Sequence, residues 1–192
     1  MLCTCVCVCV WQLLTAANVV KIADFGLAVR CGPSVPPLTS LVGTAAYLAP
    51  EMVRAAEEGG APYGVSVDLF ALGGVLYALL ATYTPFEDPE AELSDDEIIE
   101  RVRRGQWSFA ARRTPWEGVS SAAKQLIAAL LDADPAKRPT AIEVLHYPWA
   151  CPTAQEVTKP RGGGSSCTRF AWDGGSGREL DLCWGAGCGM YM

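Results

Sequence analysis

Residues 19–26 read Val-Val-Lys-Ile-Ala-Asp-Phe-Gly, and the tripeptide Ala49-Pro50-Glu51 follows further along the chain. The apolar residues before Asp24 predict a short β-strand, because valine and isoleucine suit a pleated surface. The hexapeptide Gly-Thr-Ala-Ala-Tyr-Leu at residues 43–48 leads directly into Ala49. Either tripeptide alone is a weak signal, whereas both in this order, with a loop-sized segment between them, form a specific pattern.

The sequence downstream predicts a mostly helical domain. Residues 67–80 are apolar nearly all round apart from Asp68, which is typical of a helix in the centre of a core. Residues 122–131 place four apolar side chains on one helix face, and these are Leu126, Ile127, Leu130 and Leu131. Both stretches therefore predict helices that pack against the rest of the domain.

Two capping boxes predict where further helices begin. In Ser94-Asp95-Asp96-Glu97, the serine hydroxyl can accept a bond from the Glu97 backbone N–H while the glutamate side chain reaches back. The tetrapeptide Thr140-Ala141-Ile142-Glu143 repeats this arrangement after Pro139. Behind the first box, an apolar stripe is formed by Ile98, Ile99 and Val102.

The composition excludes several classes of protein. Apolar residues make up 51% of the 192 residues, which is enough to bury a sizeable core. A formal net charge of -6 without any Lys/Arg cluster excludes a nucleic-acid partner. The spacing of the nine cysteines and the single histidine, His146, matches no zinc pattern. We therefore expect reduced thiols and a cytoplasmic protein.

Together these motifs resemble the protein kinase family, in its serine/threonine branch. Further matches to the family are Tyr63-Gly64, residues 67–73, Pro85-Phe86, residues 134–140 and Pro148-Trp149. Similarity to the calcium/calmodulin-dependent kinase group is carried by Trp116, Ser120, Ala123-Lys124 and Leu126-Ile127. The resemblance implies a mainly α (α+β) fold, namely the C-terminal lobe of a kinase domain, truncated before the catalytic loop.

The resemblance also implies roles for individual residues. Asp24 would hold a magnesium ion that bridges the phosphates of ATP, since a hard cation prefers carboxylate oxygen. Gly26 would let the backbone beside Phe25 swing. Glu51 and Arg138 resemble the family's internal ion pair, which ties the activation segment to the base of the lobe.

Other positions would support the same framework. Asp68 would accept backbone N–H bonds from the catalytic loop, and Gly73 belongs to the buried central helix. Thr44 would touch the catalytic aspartate. In the activation segment, Thr39 and Ser40 are candidate phosphorylation sites, and an ordinary polar loop is the alternative.

The groups that perform the family's chemistry are absent from this sequence. It has no Gly-rich phosphate loop, no strand lysine paired with a helix glutamate, and no His-Arg-Asp-x-x-x-x-Asn loop. No residue before Asp24 is acidic. We therefore expect no catalytic residue here and no tight binding of Mg²⁺ or ATP, which serve the complete family. Two functions remain open: a kinase fragment inactive by itself, or a non-catalytic kinase-like module for protein interaction.

Three regions are predicted along the chain. Residues 1–18 are apolar, rich in Cys and Val, and outside the family resemblance. Their alternation suits a strand, although a repeating TG dinucleotide translated in frame would encode the same pattern. Residues 19–150 are predicted to form the partial kinase domain, and the Gly-rich residues 151–192 a flexible tail.

The expected partners are protein substrates or partner proteins. Basic residues in the tail are scattered among glycines, so no calmodulin-binding helix is expected. A membrane span is not expected either, because polar residues interrupt the apolar N-terminal stretch. Residues 87–97 are strongly acidic, which favours either substrates with an upstream arginine or a solvated surface.

Overall fold

The computed structural model of the chain describes residues 3–5, 11–14, 20–23, 25–31, 36–57, 59–88, 90–110 and 116–150. Within these residues the strands are β1 (Cys3–Cys5), β2 (Trp11–Leu14), β3 (Val20–Ala23) and β4 (Val29–Cys31). The helices are α1 (Pro50–Ala55), α2 (Ser66–Ala81), α3 (Asp95–Arg104), α4 (Ser121–Leu130) and α5 (Ala141–Val144). This mainly helical architecture with short N-terminal strands confirms the predicted fold class.

The strands form two antiparallel pairs, β2 with β3 and β1 with β4. Trp11 at the start of β2 lies opposite Ala23 at the end of β3. Cys5 at the end of β1 lies opposite Val29 at the start of β4. The end of β1 therefore lies beside the start of β4, and the start of β2 lies beside the end of β3.

Helix α2 forms the centre of the core because it is apolar on nearly every face. A Cβ atom added to Gly73 would lie 2.9 Å from the Cβ of Leu130 in α4. Only glycine allows the two helices to approach this closely. The buried residues of α2 are Val67, Phe70, Ala71, Gly73, Gly74, Tyr77 and Ala81.

Both predicted capping boxes are present. At α3, the Ser94 hydroxyl accepts from the Glu97 backbone N–H at 3.4 Å, and the Glu97 carboxylate accepts from the Ser94 N–H at 2.9 Å. At α5, the Thr140 N–H donates to the Glu143 carboxylate at 2.7 Å. These contacts fix both helix starts through groups only three residues apart in the sequence.

The apolar faces predicted for α3 and α4 are turned inward. The buried members are Ile98, Val102, Leu126, Ile127, Leu130 and Leu131, and Ile99 is half-buried. Because the charged residues of α3 occupy the opposite face, this helix covers the core and meets solvent at the same time.

An aromatic cluster closes the core beside the end of α2. The Tyr77 ring lies at its centre and contacts the rings of Tyr83, Trp107, Phe109 and Trp116. The Tyr77 hydroxyl donates to the Ser108 carbonyl at 2.9 Å. Burial raises the pKa of Tyr77 above its usual value, which favours the protonated phenol that donates this bond.

The described part of the chain has no helix with both the length and the apolarity to cross a bilayer. Helix α2 has 16 residues, whereas a membrane span needs about 20.

Candidate functional site

A buried ion pair joins Glu51 in α1 to Arg138, which lies before α5. Arg138 Nη1 is 2.6 Å from Glu51 Oε1, and Nη2 is 2.7 Å from Oε2. The Arg138 side chain is 0% exposed and that of Glu51 is 11% exposed. This bidentate geometry matches the guanidinium fork to both carboxylate oxygens. The charges of Glu51 and Arg138 therefore neutralise each other through direct hydrogen bonds.

Two further N–H donors of Arg138 also have partners. Its Nε donates to the Asp132 carbonyl at 2.7 Å, and Nη1 also donates to the Ser66 carbonyl at 3.0 Å. The guanidinium carbon lies 4.8 Å from the centre of the Phe70 ring, within cation–π distance. Arg138 thus joins α1, the start of α2 and the loop before α5. The contributions of Ser66 and Phe70 had no sequence signal, because they come from a distant segment.

Tyr63 holds the segment that carries the two predicted phosphorylation sites. Its backbone N–H donates to the Leu38 carbonyl at 3.0 Å, and its hydroxyl donates to the Ser40 carbonyl at 2.8 Å. The side chains of Thr39 and Ser40 are exposed. Sequence reasoning missed this role of Tyr63, since no local pattern reveals a partner so far along the chain.

The turn that follows this segment packs between α2 and α3. Thr44 is exposed, and its carbonyl accepts from the Tyr47 N–H at 3.0 Å at the 3-10 turn Ala45–Tyr47. A Cβ atom on Gly74 would lie 3.1 Å from the Tyr47 ring, which shows how closely the ring packs on α2. The pKa of Tyr47 is raised, mainly by burial and to a smaller extent by the negative charge of Glu87.

The Asp-Phe-Gly motif lies between β3 and β4. The predicted metal ligand, Asp24, is outside the described residues. Its neighbours Phe25 and Gly26 form a 3-10 turn with Leu27, and the Phe25 side chain is 57% exposed. Phe25 and Gly26 therefore lie just beyond the Trp11–Ala23 end of the β2–β3 pair.

The two predicted framework residues of α2 have different surroundings. Asp68 lies half-buried in the first turn, and its backbone N–H donates to the Val65 carbonyl at 3.2 Å. Gly73 lies against α4, where it permits the close helix packing described above. The role of Asp68 toward a catalytic loop stays a prediction.

The described residues around the Asp-Phe-Gly turn do not form a donor set for Mg²⁺. Their charged members, Lys21 and Arg30, are both cations. Mg²⁺ prefers oxygen ligands, above all carboxylates and phosphates. Across the ranges that the structure describes, no three His, Cys, Asp or Glu side chains are grouped to hold a metal ion. The described residues of this turn therefore supply no carboxylate beside Asp24, and the binding of Mg²⁺ by Asp24 stays a prediction.

A cavity of about 310 Å³ opens beside the aromatic cluster. Asp88 Oδ2 at its rim lies 3.5 Å from Arg101 Nη2, and the Glu87 carboxylate accepts from the Thr84 N–H at 2.9 Å. The cavity coincides with the start of the predicted acidic stretch. Its lining includes the aromatic side chains of Tyr77, Tyr83 and Trp107 and the charged side chains of Glu87, Asp88 and Arg101.

The central apolar helix and the anchored activation segment together define the C-terminal lobe of a protein kinase. The protein kinase domain family matches residues 12–150, and the chain belongs to this family. The match begins inside the region 1–18 that the sequence placed outside the family resemblance. The three predicted region boundaries stay a prediction.

Serine/threonine kinases are among the chain's relatives. Serine/threonine-protein kinase DCLK3 of Mus musculus is 42% identical over 129 residues, which cover 67% of this chain and 15% of that protein. DCLK3 of Homo sapiens is 40% identical over 133 residues, covering 69% and 19%. Calcium/calmodulin-dependent protein kinase type II alpha chain of Drosophila melanogaster is 36% identical over 132 residues, covering 69% and 23%. The chain thus spans less than a quarter of each of these relatives.

Proposed function

We propose that the chain is part of a serine/threonine protein kinase and that residues 1–192 by themselves do not transfer phosphate. One contrast supports this proposal. The ion pair that anchors the activation segment is complete, whereas Asp24 is the sole carboxylate side chain among residues 1–50. Phosphoryl transfer requires metal ions, a lysine and a base positioned together. A single aspartate cannot supply that arrangement.

The proposed contribution of this chain to a complete kinase is a preformed platform. The Glu51–Arg138 pair fixes the base of the activation segment, and Tyr63 fixes its middle. The Tyr47 turn presents the end of the segment against α2 and α3. Such a platform would position a protein substrate while other residues of a longer protein bind ATP.

The inactivity is tested with the purified chain, Mg²⁺, ATP labelled at the γ-phosphate and a mixture of Ser/Thr peptides. We expect no label on the peptides above the level of an Asp24→Ala variant, and no rise in melting temperature with Mg-ATP. Label transferred by the chain and lost in Asp24→Ala would refute the inactivity.

A chimaera distinguishes between the two proposed functions, a fragment of an active kinase and a non-catalytic interaction module. Residues 19–150 would replace the corresponding residues of an active relative that retains its own Gly-rich loop, lysine and catalytic loop. Activity that depends on Asp24 would support the kinase lobe. A folded but inactive chimaera, with the Glu51–Arg138 pair intact, would favour the non-catalytic module.

The cavity beside the aromatic cluster supports the second function, a module that binds proteins carrying arginine or lysine. Aromatic faces and carboxylates both attract a cationic side chain. Glu87→Gln combined with Asp88→Asn should weaken the binding of a labelled arginine-containing peptide, measured by fluorescence anisotropy. Glu117→Gln is the matched control, because this exposed acid is not part of the cavity lining. Equal binding by all variants would remove this function.

We also propose that Thr39 and Ser40 are phosphorylated, which their exposure supports. Phosphate adds negative charge and strong acceptor oxygens to this loop. Mass spectrometry of the chain expressed in eukaryotic cells should find phosphate on the peptide that contains both residues. Its absence after phosphatase inhibition would refute the proposal.

A cytoplasmic location is proposed as well, and it follows from the expected reduced thiols. Imaging of a fluorescently tagged chain tests it, and an organellar or extracellular signal would contradict it.

A further inference from the structure

Two cysteines that are distant in the sequence occupy directly opposite positions in the register of the β1–β4 pair. Cys3 lies directly opposite Cys31, Thr4 opposite Arg30, and Cys5 opposite Val29. Directly opposite residues of an antiparallel pair lie on the same face of the ribbon. The register therefore places one cysteine of the crowded N-terminal group beside the cysteine that follows the Asp-Phe-Gly motif.

The backbone spacing of this register suits a disulfide. Opposite Cα atoms in an antiparallel pair are about 4.5 or about 5.5 Å apart, depending on the hydrogen-bond pattern. Disulfides span Cα distances of about 4.4–6.8 Å, so either pattern is compatible. Cys5 is diagonal to Cys31, at about 7–8 Å, which is beyond that range. The register thus selects Cys3 as the partner of Cys31.

We propose that Cys3 and Cys31 form a reversible disulfide when the chain meets a small-molecule disulfide such as glutathione disulfide. The thiolate of one cysteine attacks the oxidant and forms a mixed disulfide, which releases one glutathione thiol. The other cysteine thiolate then attacks the protein sulfur and releases the second glutathione thiol. The protein loses two thiol hydrogens, and one glutathione disulfide becomes two glutathione molecules.

The bond would couple the redox state of the chain to the start of its activation segment. Cys31 follows directly on Val29 and Arg30 in β4, and the Asp-Phe-Gly turn lies just before that strand. A covalent link at the Cys3–Cys31 position prevents β1 from separating from β4. This constraint does not depend on the proposed kinase function, because it arises from strand register alone.

The test uses the full chain, produced by cell-free translation and treated with reduced and oxidised glutathione before free thiols are alkylated. Trypsin cleaves after Lys21, Arg30 and Arg54, so the two cysteines fall in separate peptides. We expect peptide 1–21 linked to peptide 31–54, with the mass of two hydrogens missing, and its loss after reduction. The expected intensity of this species falls to background in Cys3→Ser and in Cys31→Ser.

Cys5→Ser is the matched control, because it removes a neighbouring thiol on the same strand without touching the opposed pair. The linked peptide should persist in this variant. The proposal is overturned if the link survives in Cys3→Ser, or if Cys31 pairs equally with all cysteines of residues 1–21, as in a denatured sample. Failure of the link to form under oxidising glutathione also overturns it.

Discussion

At the scale of single residues, the buried Glu51–Arg138 pair connects segments that are far apart in the sequence. The Arg138 side chain is fully buried, and it bonds to Glu51 and to two backbone carbonyls. Arg138→Met keeps much of the apolar stem but leaves the Glu51 carboxylate without its cation. We expect a loss of about 3–5 kcal/mol in the free energy of unfolding. Urea denaturation followed by tryptophan fluorescence measures it.

The double variant Glu51→Leu/Arg138→Met is the control for this interpretation. Removing both charges eliminates the unpaired buried carboxylate, so the double variant should be more stable than Arg138→Met alone. Purely additive losses would show that the two side chains are not energetically coupled.

Gly73 is a second position where one atom matters. Its missing Cβ is what leaves room for the Cβ of Leu130 at 2.9 Å. In Gly73→Ala, overpacking should cost about 1–3 kcal/mol. The higher helix propensity of alanine offsets at most about 1 kcal/mol of this cost, so we expect a net loss of stability. Gly64→Ala is the matched control, because its added Cβ would meet nothing within 4 Å. Equal thermal melting of the two variants would contradict the packing argument.

At the scale of elements, the start of α3 should be sensitive to acid. The backbone N–H and then the hydroxyl of Ser94 lower the pKa of Glu97 below its usual value. A group whose pKa falls on folding stabilises the fold above its unfolded-state pKa, and this contribution is lost as the pH falls through its folded-state pKa. As the pH falls through the folded-state pKa of Glu97, we expect the amides in the first turn of α3 to lose protection from hydrogen exchange. The measured rates are corrected for the pH dependence of intrinsic exchange.

Glu97→Gln should remove this pH dependence, since the amide side chain does not titrate in that range. Glu92→Gln is the control, because Glu92 is exposed and lies outside the capping box. A first turn of α3 that responds to acid equally in Glu97→Gln and in the unmodified chain would exclude the capping box as the cause.

At the scale of the whole molecule, apolar side chains on the surface predict self-association of the chain. Leu79 of α2 is 48% exposed, and Phe25 and Leu27 are also exposed. Large apolar side chains exposed in this way favour aggregation. Leu79→Lys should reduce the apparent mass in light scattering with little change in melting temperature. Leu130→Lys, at a fully buried position, should unfold the protein instead. A monomeric unmodified chain would prove this prediction wrong.

The helices were largely predictable because their signals are local. The capping boxes at Ser94 and Thr140 act between residues three apart, and the apolar stripes repeat within single helices. The ion pair of Glu51 and Arg138 was anticipated through the family resemblance. Its bonds to the Ser66 and Asp132 carbonyls were not, since backbone carbonyls are present at every position and carry no sequence signal.

A mainly helical kinase lobe could be inferred from the amino-acid order, because motif order, helix caps and apolar periodicity are properties of neighbouring residues. The folded chain was needed to show which distant groups meet, and these are Tyr63 with the Ser40 carbonyl, Gly73 with Leu130, and Cys3 opposite Cys31. These contacts depend on strand register and helix packing. A shift of one residue in register would change every partner, and no local pattern specifies it.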